Sequence, residues 1–126
     1  MAKKKSRSKG EETIVNYLKQ LLPFFTVHTE YSLSNFENCP KNCRRLRIDI
    51  YIPDFKLAIE IDGEHHHEIV VYNNPDKAVV AFEKRKVLDM RKDDFLKSIG
   101  VKVWRLKTSD IEDINAFENK LKEMIR

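Results

Sequence analysis

The sequence predicts an α/β sandwich built on a short mixed sheet, in the order α-β-β-β-α-β-α. Three observations carry that prediction. Apolar residues recur at helical spacing in "EETIVNYLKQLL". The stretches Leu46 to Ile52 and Leu57 to Asp62 alternate in strand fashion around a proline turn. A long helical pattern then leads into the strand-like "VKVWRL" and a last helix.

Each element follows from its residues. The first helix places Ile14, Val15, Leu18, Leu21 and Leu22 on one stripe, and Pro23 stops it. "FFTVHTEYSL" is rich in β-branched and aromatic residues and reads as a strand. Ser34 to Arg45 holds Pro40, three asparagines and both cysteines, and reads as a loop. Leu46 to Ile52 is a strand, Pro53 to Lys56 a turn, and Leu57 to Asp62 the next strand. Gly63 to Asp76 is irregular, and Lys77 to Ile99 is a helix that Gly100 ends. In "VKVWRL", Trp104 sits among Val101 and Val103 and reads as packed rather than as a base-stacking platform. Asp110 to Ile125 is the final helix, capped by Ser109 or Asp110.

A chain of 126 residues that is 41% hydrophobic supports one domain with a proper core. No window approaches the roughly 20 apolar residues of a membrane span, so no membrane partner is expected. "MAKKKSRSKG" has no apolar segment behind its charges, which argues against a signal peptide and for a cytoplasmic protein. Cys39 and Cys43 are then expected to be reduced. The net charge of +4 is uneven. Residues 1–10 carry Lys3, Lys4, Lys5, Arg7 and Lys9 and no acid, leaving 19 basic against 20 acidic residues in 11–126. The expectation is a flexible basic arm, suited to a phosphate backbone or acting as a solubilising tail, ahead of a single domain.

The hairpin carries the unusual chemistry. Leu46, Ile48, Ile50 and Ile52 are predicted on one face with Leu57, Ile59 and Ile61; Arg47, Asp49, Tyr51, Ala58, Glu60 and Asp62 take the other. A four-residue loop pairs Ile52 with Leu57, which puts Asp49 across from Glu60 and Arg47 across from Asp62. Opposed like charges about 5 Å apart are destabilising. Asp49 and Glu60 therefore call for a raised pKa, a distant lysine or a metal ion, unless they only line a solvated sheet face. Carboxylate and carbonyl oxygens suit Mg²⁺ or Mn²⁺.

Glu11 falls near the centre of the first helix's apolar stripe. It is either a dipole partner at the helix start or another carboxylate aimed at the sheet. Cys39 and Cys43 fall short of the four close ligands of structural zinc. The neighbouring Lys41, Arg44, Arg45 and Arg47 are candidate phosphate contacts.

"SKGEETIVNYL", "RRLRIDIYIP", "LAIEIDGEHH" and "VLDMRKDDFLKSIGVKVWRL", in that order, resemble the PD-(D/E)XK nuclease superfamily. The resemblance is to the branch of very-short-patch-repair endonucleases and small phage or mobile-element endonuclease-like domains. It implies a restriction-endonuclease-like fold and Mg²⁺-dependent hydrolysis of DNA. It implies catalytic roles for Glu11, Asp49, Glu60, Asp62, His66 and Lys92, with a metal held by Asp49, Glu60 and the carbonyl of Ile61. The family's Asp-x-x-Lys pair falls on Asp89 and Lys92. Asp62 stands where the family name has lysine, and Lys92 or Arg91 is the expected substitute. His65 and His67 read as loop residues.

The expected function is a Mg²⁺- or Mn²⁺-dependent DNA endonuclease. Its competitors are a non-catalytic nucleic-acid-binding module and an RNA-processing nuclease on the same fold. A domain this small has little surface for reading a long site, so a homodimer or a partner is expected.

Overall fold

The structure, a computed structural model, describes residues 9–62 and 75–126, with side chains in 75–82 described for Val80 alone. The predicted element order holds: α1 (Lys9–Leu21), β1 (His28–Ser32), β2 (Arg47–Ile52), β3 (Leu57–Asp62), α2 (Pro75–Ser98), β4 (Lys102–Lys107) and α3 (Ile114–Met124). The strands form one mixed sheet in the order β1-β2-β3-β4. The pairs β1–β2 and β2–β3 are antiparallel, and β3–β4 is parallel across the α2 crossover. No helix among the described residues is long and apolar enough to cross a membrane.

Two cores sandwich the sheet. On one face Ile14, Val15 and Leu18 of α1 and Phe117 and Leu121 of α3 meet Ile50, Ile52, Leu57, Ile59, Ile61, Trp104 and Leu106. Trp104 stacks on Phe117 with ring centroids 5.4 Å apart, so it packs as expected. On the other face Phe95 and Leu96 of α2 meet Leu33, Cys43, Ile48, Tyr51, Ala58 and Val101. Each fully buried aliphatic side chain contributes about 1.5–3 kcal/mol of burial.

Several expectations are corrected. Leu46 and Ile48 pack with Tyr51 and Ala58, not with Ile50 and Ile52, so alternation breaks at Asp49. The cause lies across the ladder. Pairing runs His28↔Tyr51, Thr29↔Ile50, Tyr31↔Ile48 and Ser32↔Arg47 and skips Glu30 and Asp49. Glu30 has φ 51°, a left-handed conformation that kinks the strand there. Phe24 is 93% exposed and lies outside β1, which is shorter than its aromatic content suggested. The final helix is capped by Asp113, which accepts the Ala116 N–H at 3.1 Å. Asp110 instead accepts the Lys107 N–H at 2.8 Å and shapes a separate short turn. Lys9 and Gly10, assigned to the arm, are the first residues of α1.

The end of α2 is fixed by Gly100, whose φ of 80° suits a residue without Cβ. The Gly100 N–H bonds the Lys97 carbonyl at 3.1 Å, and the Val101 N–H bonds the Leu96 carbonyl at 2.9 Å. Leu96 and Val101 pack in the same core cluster. That closure sets the registry of α2 on the sheet, and with it Lys92 one turn earlier.

Candidate metal centre

The hairpin turn forms as expected. Ile52 pairs with Leu57, and Lys56 closes the turn at φ 48°. The paired register ends at Ile50↔Ile59 and reaches neither the expected Asp49–Glu60 pair nor the expected Arg47–Asp62 pair. Where it ends, the Asp49 carboxylate accepts the backbone N–H of Ile61 at 2.8 Å. Ile61 thus enters the site through its N–H, a role the expectation of a carbonyl ligand had not included.

Glu11, Glu30 and Asp49 converge beside this point. One carboxylate oxygen from each lies within 4.8 Å of the others. Two ligands on opposite sides of a Mg²⁺ ion are about 4.2 Å apart. Small side-chain rotations therefore let all three reach one ion, and an all-oxygen donor set fits Mg²⁺ or Mn²⁺. Glu11 arrives from the start of α1, as its place on the apolar stripe allowed. Glu30 was not foreseen. In a regular strand it would simply alternate with its neighbours; the left-handed backbone re-aims it. The β1–β2 register, carried through the skipped positions, places Glu30 opposite Asp49. That register is the signal that could have found it.

Gly10 sets how closely α1 approaches. A Cβ there would lie 2.7 Å from Thr108 Cγ2 and 2.8 Å from Thr108 Cβ. In an open helix, Gly→Ala stabilises by roughly 0.5–1 kcal/mol. Here Gly10→Ala is expected to destabilise by about 1–3 kcal/mol through overpacking, and to weaken the thermal shift given by Mg²⁺ as Glu11 is lifted away. Adding Thr108→Gly should restore both. Thermal melts with and without Mg²⁺ check this, and an unperturbed Gly10→Ala protein would refute the role of this contact.

Glu60 and Lys92 complete the site from the α2 side. They are the two buried charged side chains among the described residues, 6% and 9% exposed. Lys92 Nζ lies 2.5 Å from Glu60 Oε1. Lys92 also donates to the Arg47 carbonyl at 3.0 Å, so its ammonium bridges β3 and β2. Burial pushes the Glu60 carboxyl up to about 8; Lys92 pulls it down, and the neighbouring Asp49 carboxylate pushes it up. The two acids thus interact although the register does not pair them, and burial outweighs the lysine. Asp89 was a candidate partner of Lys92 on the helix surface, but Lys92 turns inward to β2 and β3. Arg105, opposite Glu60 in the β3–β4 register, is tied to Asp93 at 2.7 Å. That bond fastens α2 to β4 next to the site.

The remaining candidates are placed unevenly. Asp62 is exposed at the end of β3 and is not in the carboxylate group. Lys9, Lys41, Arg44, Arg45 and Arg47 are exposed, and Arg47 flanks the site through its carbonyl. Cys39 and Cys43 are free thiols. Burial, and then Cys39, push the Cys43 thiol up while Arg91 pulls it down. His65, His66, His67, Lys3, Lys4, Lys5 and Arg7 lie outside the described residues.

No protein-family model, curated protein or solved structure matches the chain. Its function is therefore read from this geometry and the chemistry of these side chains.

Proposed function

We propose that the protein is a Mg²⁺- or Mn²⁺-dependent endonuclease that hydrolyses phosphodiester bonds in DNA, on a restriction-endonuclease-like fold. One observation carries the reading: Glu11, Glu30 and Asp49 converge within 4.8 Å beside the buried Glu60–Lys92 pair. Such a concentration of acids favours a divalent cation, and a cation–carboxylate site flanked by exposed arginines suits a phosphate substrate.

Bound there, the ion supplies Lewis acidity, lowering the pKa of water and neutralising charge on a phosphate oxygen. Glu11, Glu30 and Asp49 would hold the ion, and Asp49 also adjoins Glu60. The Ile61 N–H fixes the Asp49 carboxylate before any ligand arrives, so no reorganisation is needed there. Lys92, held between Glu60 and the Arg47 carbonyl, places a positive charge where the phosphate gains negative charge. Glu60, its carboxyl pushed up to about 8 by burial, would have to be deprotonated to serve as a further ligand. Arg44, Arg45 and Arg47 position the backbone through phosphate contacts.

The test is incubation with plasmid, single-stranded DNA and structured RNA in Mg²⁺, Mn²⁺ or EDTA. Metal-dependent cleavage of DNA is expected. Cleavage of structured RNA alone would move the substrate to RNA. Binding without cleavage of any substrate would leave a non-catalytic nucleic-acid-binding module.

A further inference from the structure

Among the described side chains of α2, the buried ones lie in its second half. Lys92, Phe95 and Leu96 are buried, whereas Val80 and every residue from Glu83 to Leu88 are exposed. At 1.5 Å per residue, its 24 residues span about 36 Å. The strand beneath ends at Asp62, two residues past Glu60. The N-terminal half of α2 therefore runs beyond the sheet.

This projecting half carries a placed cation. Arg85 precedes Lys92 by seven residues, so it lies about 20° from it around the axis and about 10 Å along it. Lys92 faces the acids of the site. Arg85 shares that side two turns farther out, where the sheet no longer covers it, and is exposed. Lys84, Lys86 and Arg91 join it, against Glu83 and Asp89, so residues 83–91 are net basic. The rest of the domain from residue 11 is net acidic. The exposed Val80, Val87 and Met90 lie on the opposite side of the helix, interrupted by Glu83 and Lys84, and Leu88 is the one exposed large apolar residue described on the Lys92 side, about 40° from it.

We propose that the projecting half of α2 is a clamp for the phosphate backbone of duplex DNA, with Arg85 holding a phosphate two or three positions from the one at the carboxylate cluster. The clamp rests on the DNA reading given above. Charge complementarity selects this occupant: a guanidinium engages phosphate oxygens with two parallel hydrogen bonds. Its placement on the Lys92 side aligns that contact with the site.

The test measures binding and turnover separately. A fluorescent duplex is titrated in EDTA with the full-length protein, Arg85→Ala, and Lys86→Ala as control. Lys86→Ala removes the same charge about 120° around the helix from Lys92. Arg85→Ala is expected to weaken binding about tenfold, the loss of one charge-assisted contact. It should flatten the log–log salt dependence by about 0.9. Lys86→Ala should do less on both counts. In Mg²⁺, Arg85→Ala should raise KM and leave cleavage at saturating DNA unchanged. Equal effects of the two variants, no effect of either, or a change in oligomeric state in place of a change in DNA affinity would overturn the clamp. A wild type that cleaves nothing, with Arg85→Ala still selectively weakening binding, would sink the nuclease reading and leave the clamp standing.

Discussion

Asp49→Asn is expected to lower Mg²⁺-dependent DNA cleavage by about 10²-fold or more while preserving DNA binding in EDTA. The asparagine keeps an oxygen that can accept the Ile61 N–H now held at 2.8 Å, so the local backbone should survive. What disappears is the charge shared by both sides of the carboxylate group. An anionic ligand at the centre of an ion site supports the transition state electrostatically, and losing such a group costs on the scale of 10²–10³ in turnover. Thermal melts supply an independent readout. Mg²⁺ should raise the wild-type Tm, because a ligand bound only by the folded state stabilises it; Asp49→Asn should lose most of that shift. Without metal the variant should melt no lower than wild type, since one of several repelling acids is gone. An unchanged Mg²⁺ shift would place the ion elsewhere.

Lys92→Met is expected to cost about 3–5 kcal/mol near pH 9 and much less near pH 6, measured by urea unfolding in EDTA. The lysine is the buried counterion of Glu60, and stranding one member of a buried pair carries a penalty of that size. The pH dependence follows from the Glu60 carboxyl, raised from 4.5 to about 8. A group whose folded pKa is raised stabilises the fold fully below its unfolded pKa. That contribution fades as pH rises towards the folded value and is gone above it. Wild-type stability should therefore decline from about pH 4.5 to about pH 8 through this residue. In Lys92→Met the carboxyl loses the cation that held its pKa down. It keeps its proton near pH 6 at little cost, but near pH 9 it must ionise unpaired or hold a proton against the solution. Glu60→Gln should flatten the profile, and Lys92→Met with Glu60→Gln should recover much of the loss. An equal loss at both pH values would mean that Lys92 stabilises the protein by packing alone.

The order of elements was legible because it depends on local pattern. The stripe of Ile14, Val15 and Leu18, the proline turn that pairs Ile52 with Leu57, and Gly100 at the end of α2 each express a preference of a few neighbouring residues. The closeness of Asp49 and Glu60 was legible from the hairpin loop length, but their direct pairing was not, because the ladder stops at Ile50↔Ile59. The inward aim of Glu11 came from helical period alone. The cap of α3 was misplaced because Ser109, Asp110 and Asp113 all have capping chemistry, and packing of the preceding turn chose among them.

Sequence by itself determined the strands, the helices, and the presence of unneutralised acids on a central hairpin. Tertiary structure decided which acids meet. Glu30 joins Glu11 and Asp49 through one left-handed residue in β1, a backbone state that costs a non-glycine residue about 1–3 kcal/mol and persists only where its surroundings enforce it. Lys92 reaches Glu60 because closure at Gly100 and the packing of Phe95 and Leu96 fix the rotation of α2 over the sheet. The balance at Glu60, where burial outweighs an adjacent cation, depends on how much water that packing excludes. Desolvation is a property of the assembled layers, and no run of residues along the chain encodes it locally.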